Sequence, residues 1–337
     1  MTERARASSR IDTIGSRGHS APMTAVRAAG LRLSFGPRVA LDGVSFEVAA
    51  GEVVGLLGPN GAGKTTTLSI LATLRRPDAG DAEITGLSTR RQPRAVRRVL
   101  GLVPQALAVY PTLTGRENVR CFAALCGLRG RAARAAAQRA LELVGLAERA
   151  DDVVSTYSGG MQRRLNLACG LLHDPPVLLL DEPTVGVDPH SRAHILDTVR
   201  AHAAGGAAVL YSTHYMEEAE RLCDRVLLVD HGRVVAAGTP AELTRAENGG
   251  MRLILVTREP LPAGWLDGIA GVRPEPARAA DAAPERGHRV EVAVDTLAAV
   301  SRVLERAGGA SELLEFHVHR PDLEDVFLRI TGRGLRD

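Results

Sequence analysis

Eight residues, Gly58-Pro-Asn-Gly-Ala-Gly-Lys64-Thr65, restrict the fold of this 337-residue chain more than any other stretch. They follow a wholly apolar run, Val53 to Leu57, and lead into Lys64 to Leu74, a predicted helix that Pro77 ends. Strand, glycine-rich turn and helix in that order predict a phosphate loop. Glycines let the backbone fold round an anion with its amide N–H groups inward, and the helix N-terminus adds positive potential. The expected contacts are Gly58, Pro59, Asn60, Gly61, Ala62, Gly63, Lys64, Thr65 and Thr66, with Lys64 reaching the β and γ phosphates and Thr65 on Mg²⁺. Of the 42 basic residues Lys64 is the only lysine; every other is arginine. A slim ammonium fits a phosphate cradle where a broad guanidinium does not.

Val177-Leu-Leu-Leu-Asp181-Glu182-Pro183 is a second buried strand, and it ends in two acids, a costly place for carboxylates without a cation. Magnesium supplies that reason: Asp181 is expected to hold the ion, directly or through water, and Glu182 to polarise the attacking water in phosphoryl transfer. His214 follows a third apolar strand, Val209 to Thr213, where a histidine can hydrogen-bond the γ-phosphate and the water. The pairs His190 with His194 and His317 with His319 have spacings that suit a metal, but no third ligand is evident.

Apolar residues make up 45% and charged residues 24%, and no stretch approaches the ~18 apolar residues of a membrane span. A net charge of +3 is too mild to argue for nucleic acid. The basic run Arg90, Arg91, Arg94, Arg97 and Arg98 has the helical spacing of a solvated face. Cys121, Cys126, Cys169 and Cys223 form no CxxC pair, which excludes a zinc ribbon or disulfide framework and suits a reduced compartment.

Residues 1–23, rich in Arg, Ser and Gly and lacking the apolar core of a secretory signal, read as a disordered tail. Residues 24–240 form an α/β domain that opens with alternating strands at Leu31 to Phe35 and Val44 to Val48. An Ala-rich helical insertion follows, about 106–170, then core strands at Ala208 to Ser212 and Val226 to Val229, a hairpin turn at His231-Gly232, and Pro240 as the close. Residues 241–337 read as a small α+β domain. It has strands at Leu253 to Val256 and Val290 to Val294, a loop from Pro274 to Gly287, a helix with Leu297, Val300 and Leu304 on one face, and a last helix carrying Leu323, Val326, Phe327 and Ile330. Trp265 is expected in the core of that domain or in a small-molecule pocket.

Together these motifs resemble the ATP-binding cassette (ABC) ATPases over about residues 24–240. Ser158-Gly159-Gly160 looks like the family signature, Gln105 after Val103-Pro104 like its glutamine loop, and Val185 to Asp188 like the loop beyond the carboxylate strand. The resemblance implies a P-loop NTPase fold with a RecA-like core, an antiparallel β subdomain and an inserted helical subdomain. It implies the cofactors ATP and Mg²⁺, with Gln105 sensing the metal and the membrane partner. It also implies a head-to-tail homodimer in which Ser158, Gly159 and Gly160 of one chain, beside Asp188, meet the ATP of the other. Phe35 stands where the family usually has tyrosine and is the candidate for stacking on adenine, although a strand phenylalanine serves a core equally well. The signature here has Met161 where glutamine is usual, which leaves the role of that glutamine side chain open.

Leu323 to Leu328 and Thr331-Gly332, with Tyr157-Ser-Gly-Gly-Met161, are similar to the daunorubicin-resistance type of exporter ATPase. That similarity implies a separate integral-membrane permease subunit, a cytoplasmic site at the inner membrane face, and export of a hydrophobic drug or natural product. In the resembled family the C-terminal region stabilises or regulates the dimer. The competing reading is a cassette ATPase acting on nucleic acid or ribosomes, against which the chain carries neither a second cassette nor an inserted coiled coil or zinc module.

Overall fold

The computed structural model describes residues 23–245, 251–275 and 287–332, so the predicted tail, Met23 apart, lies outside the described residues. Strands β1 (Thr24–Phe35) and β2 (Arg38–Ala49) pair antiparallel, and their alternation turns Val26, Ala28, Leu31, Val44, Phe46 and Val48 inward. After β3 (Val53–Leu57) and α1 (Lys64–Leu71), β4 (Ala79–Ile84) and β5 (Leu87–Ser88) complete an antiparallel sheet of order β2-β1-β4-β5. Helix α1 stops short of the expected Leu74: Ala72 caps it and Thr73 takes a φ of 60°, breaking the helix well before Pro77.

Helix α2 (Pro93–Val99) buries Val96 and exposes its arginines, and it leads into β6 (Leu100–Val103). Three helices follow, α3 (Gly115–Leu125), α4 (Gly130–Leu143) and α5 (Gly159–Leu171), packed on one another. Thr114 and Glu117 close a capping box at the start of α3. Then come β7 (Val177–Asp181), α6 (Pro189–Ala204), β8 (Ala208–Thr213), α7 (Met216–Leu222), β9 (Arg225–Asp230) and β10 (Arg233–Gly238). The central sheet has the order β10-β9-β3-β8-β7-β6, parallel except for β10. His231 and Gly232, at φ of 45° and 72°, make the two-residue turn between β9 and β10.

Parallel strands bring their carboxyl ends to one edge. Leu57 stands opposite Thr213, Asp181 opposite Ser212, and Val103 opposite Leu180, so the segments after β3, β8, β7 and β6 emerge side by side. These segments carry the phosphate loop, His214, Glu182 and Gln105.

Pro240, expected at the close of the larger domain, opens α8 (Pro240–Arg245), a first-turn position where proline's missing N–H costs nothing. A second antiparallel sheet follows from β11 (Met251–Thr257), β12 (Val272–Glu275), β13 (His288–Val294) and β14 (Leu313–His319), in the order β12-β13-β11-β14. Pro274 and Glu275, expected in a loop, belong to β12, and residues 276–286 lie outside the described residues. Helix α9 (Leu297–Ala310) covers this sheet with Ala299, Val300, Val303 and Ala307, and half-buried Trp265 packs on the same core. His319 lies near Asp322 and Asp325, but those two carboxylates cap α10 (Leu323–Thr331), while His317 pairs with Glu315.

Helix α10 departs from the division at residue 240. Its apolar face, Leu323, Val326 and Phe327, joins the core of the larger domain beside Met216, Ala219 and Leu222 of α7 and Leu243 of α8, not the core under α9. Glu220 accepts the Leu323 amide proton at 3.1 Å. The end of the described chain is thus fastened to the helix that follows His214. Phe327→Ala removes a side chain only 1% exposed and is expected to cost about 3–5 kcal/mol. Circular dichroism is expected to register the loss as a lower denaturation midpoint for the large domain. A shift confined to Trp265 fluorescence would place α10 on the small sheet instead.

Candidate functional site

The glycine-rich loop is shaped by contacts that tolerate no side chain at two positions. A Cβ at Gly58 would lie 2.1 Å from the Val229 carbonyl oxygen, and Gly63, at φ 109°, would drive one to 2.7 Å from Leu41 Cδ2. Gly63 is also the N-cap of α1 and offers no side-chain cap, so the helix presents bare N–H groups at its start. Lys64 is 5% exposed; its Nζ donates to the Gly58 oxygen at 2.6 Å and the Pro59 oxygen at 3.2 Å, and stands 3.2 Å from Glu182 Oε1.

Glu182 follows β7 with φ 45°, a left-handed backbone costing of order 1–2 kcal/mol for a non-glycine residue. Its N–H is anchored to the Ser212 carbonyl and hydroxyl oxygens, both at 3.1 Å. The strain turns the carboxylate toward the loop, where Gln105 Nε2 donates to Oε2 at 3.3 Å. His214 Nδ1 also lies 3.3 Å from Oε2, but without hydrogen-bond alignment, so the contact is one of proximity. Asp181, 5% exposed, accepts from the Ser212 hydroxyl at 2.7 Å.

Phe35, Pro59, Asn60, Gly61, Gly63, Lys64, Thr65, Thr66, Gln105 and Glu182 line one cleft of about 420 Å³ together with Arg38 and Ala40. Phe35 is 43% exposed rather than core, with the Arg75 guanidinium 4.9 Å over its ring. Phe35 therefore lines the cleft and is not a core residue. Gly58 and Ala62 support the loop from behind, and Asp181 and His214 sit beside the cleft through their contacts with Ser212 and Glu182.

The structure gathers the remaining candidates elsewhere. Ser158 caps α5 by accepting the Met161 amide proton at 3.2 Å, and Gly159 faces open space. A Cβ on Gly160 would meet Ser191 Oγ at 2.3 Å and Asp188 Oδ2 at 2.7 Å, so the glycine lets the N-termini of α5 and α6 close on each other. Asp188 caps α6, and the Ser191 amide hydrogen bond holds its carboxyl below the usual carboxylate range. Met161 packs into the helical core, whereas Gln162 donates to the Tyr157 carbonyl at 3.3 Å.

Sequence reasoning missed the groups that hold these loops. From α5, buried Asn166 donates to the Pro104 oxygen at 3.2 Å and accepts from the Ala108 amide at 3.1 Å, and Arg163 donates to the Gln105 oxygen. It also missed Glu218, a buried carboxylate among Thr184, Tyr211 and Thr213. The available signal was a tyrosine and two threonines at sites flanking the carboxylate and histidine motifs.

The family described as ABC transporter matches residues 41–185. The linearmycin resistance ATP-binding protein LnrL of Bacillus subtilis (strain 168) is 39% identical over 318 residues, 93% of this chain and 100% of that one. The daunorubicin resistance ATP-binding protein DrrA3 of Streptomyces coeruleorubidus is 44% identical over 93% of this chain and 98% of its own. The Nod factor export ATP-binding protein I of Paraburkholderia xenovorans (strain LB400) is 40% identical over 94% and 100%. Among solved structures, the ATP-binding subunit of an ABC transporter superposes with a TM-score of 0.61 at 32% identity, over 66% of this chain and 93% of that one. A dimeric ATP-binding cassette with ADP and Pi superposes at 0.58 and 27% identity, over 64% and 98%.

Lys64→Ala is expected to weaken ATP binding by at least about a hundred-fold, because it also strands the buried Glu182 charge. Lys64→Arg is not expected to restore it, since Gly58, Pro59 and Glu182 leave an ammonium-sized space. Glu182→Gln is expected to bind ATP but release phosphate at less than about one-hundredth of the normal rate. Binding titrations and phosphate assays measure both, and full turnover by Glu182→Gln would remove Glu182 as the base.

Proposed function

Because this chain belongs to the ATP-binding cassette (ABC) transporter family, we propose that it is the motor of an exporter, acting with a second copy and a separate membrane subunit to expel a hydrophobic drug or natural product. The chain is an ATPase of that family and binds ATP. One observation carries the export reading: the cassette structures cover about two thirds of this chain, 64% to 66%, whereas resistance and export proteins match 93% to 94% of it. The shared length therefore reaches well past residue 240, into the second sheet.

In this reading the Gly58–Thr66 loop and Lys64 take the phosphates, and Phe35 stacks on the base. A γ-phosphate entering beside Lys64 competes with Glu182 for the ammonium. The released carboxylate then accepts a proton from water attacking in line with the leaving oxygen, and His214 holds that water and the γ-phosphate. Thr65, Asp181 and Gln105 offer a hydroxyl, a carboxylate and an amide oxygen, the hard donors that Mg²⁺ prefers. Two adjacent buried carboxylates answered by one lysine also favour a dication. When bound, Mg²⁺ supplies charge neutralisation at the β and γ phosphates.

Ser158 and the N-terminus of α5 face outward and suit the γ-phosphate held by a second copy, with Asp188 at the same junction. For the membrane subunit we assign the apolar surface beside the Gln105 loop: Leu107 is 39% exposed, Tyr110 48% and Leu125 73%, with Phe122 packed 6.3 Å from the Tyr110 ring. Asn118 and Asn166 pin this segment, so force applied there reaches Gln105. Among the described residues no helix is long and apolar enough to cross a membrane.

Tagged Glu182→Gln protein, given ATP and Mg²⁺ in detergent-solubilised membranes of its own organism, is expected to recover a multi-span membrane protein identifiable by mass spectrometry. Tyr110→Glu is expected to reduce that recovery by about ten-fold while leaving the phosphate release of the isolated ATPase within about two-fold. Recovery of ribosomes or nucleic acid instead would overturn the transport reading and leave the ATPase chemistry standing.

A further inference from the structure

Glu218, on α7, is 2% exposed, an expensive place for a carboxylate unless its oxygens are fully occupied. They are. Thr184 donates to Oε1 at 2.7 Å, while Tyr211 at 2.9 Å and Thr213 at 3.0 Å donate to Oε2. All three donors are 0–1% exposed, and Thr184 and Tyr211 also touch at 3.3 Å. Arg192 Nε stands 3.4 Å from Oε1 without hydrogen-bond alignment, an ionic contact, and its guanidinium lies 5.0 Å over the Tyr215 ring.

The chain positions of these partners matter more than their number. Thr184 lies two residues beyond Glu182. Thr213 immediately precedes His214, and its hydroxyl also accepts the Tyr215 amide proton at 2.9 Å, so His214 is held from both sides. Arg192 sits one turn into α6, and its own amide donates to the Asp188 carbonyl at 2.9 Å. One carboxylate therefore ties together the segment carrying the base, the segment carrying the histidine, and the helix whose first residues meet Gly160.

We propose that Glu218 is a positioning residue that sets Glu182 and His214 relative to each other and makes that setting depend on the Asp188 segment at the start of α6. This rests on the dimeric ATPase reading above. A displacement of the Asp188–Arg192 turn when a second copy docks changes the Arg192 side of the carboxylate, and the hydroxyls of Thr184 and Thr213 carry the change to the two reacting groups. An apolar residue of similar volume would fill the space without the cost of burying charge, but it would take from three hydroxyls the acceptor they share and leave the three segments independent.

Glu218→Gln tests this most directly. The amide keeps the volume and one acceptor oxygen, but it replaces the other oxygen with an NH2 that cannot accept from a hydroxyl, and it drops the charge facing Arg192. The expected result is a kcat lowered by about ten-fold or more, with the KM and Kd for ATP within about two-fold and ATP-driven dimerisation retained. Thr213→Val and Arg192→Gln are each expected to lower kcat. Combined, they are expected to lower it by less than the product of the two effects, since both act through one carboxylate. This pair decides the matter even if Glu218→Gln does not fold. A wild-type kcat in Glu218→Gln, losses of stability, binding and kcat in parallel, or independent effects of Thr213 and Arg192 would each overturn the proposal. Failure of the unsubstituted protein to dimerise with ATP would instead count against the functional reading on which it rests.

Discussion

Lys64 Nζ and Glu182 Oε1 stand 3.2 Å apart, each side chain about 95% removed from water, and the rest of the site is arranged around that pair. Burying either ion alone costs several kcal/mol, so the positions of both must be enforced by the fold. For the lysine the enforcement is the close approach of Gly58 to β9 and of Gly63 to β2, which bends the loop until two carbonyl oxygens face the ammonium. For the glutamate it is the left-handed turn after β7, pinned by Ser212 on the neighbouring strand. Parallel pairing of β3, β8 and β7 brings the two devices to the same level. An anion competing for Lys64 thus acts directly on the freedom of the carboxylate.

The surrounding loops are held by groups that perform no chemistry. Asn166 and Arg163 fix the Gln105 segment to the helix that Ser158 caps, so the signature and the glutamine move as neighbours of one rigid rod. Glu218 does the corresponding work on the other side for Glu182, His214 and α6. Helix α7, which carries Glu218, is in turn the surface on which α10 rests. The far end of the described chain is therefore one helix away from His214.

The phosphate loop, the paired acids and His214 were legible because each ends an aliphatic strand, where a polar residue needs a reason. The class of fold was legible for the same reason: β3, β7 and β8 are buried on both faces and read as continuous apolar runs. The destination of α10 was not. Leu323, Val326 and Phe327 announce a buried face, but periodicity does not say against which core that face will lie. The end of α1 was missed because backbone conformation decided it, at Thr73, and the short helix that Pro240 opens has too few residues to show a periodic apolar face. Glu218 was hidden because Thr184 and Arg192 meet it only through the packing of α6 and α7.

The solitary lysine has a consequence for the protein as a chemical object. Arginine provides every other basic side chain, so the surface offers acylating reagents, aldehydes and lysine-modifying enzymes no ε-amine at all. The one amine in the chain's side chains lies inside the cleft, hydrogen-bonded to its own loop. Covalent capture of an ε-amine is therefore equivalent to reaction at the phosphate site, and any anion resting there shields it. The sequence has, in effect, reduced a whole class of surface chemistry to a reporter on one position.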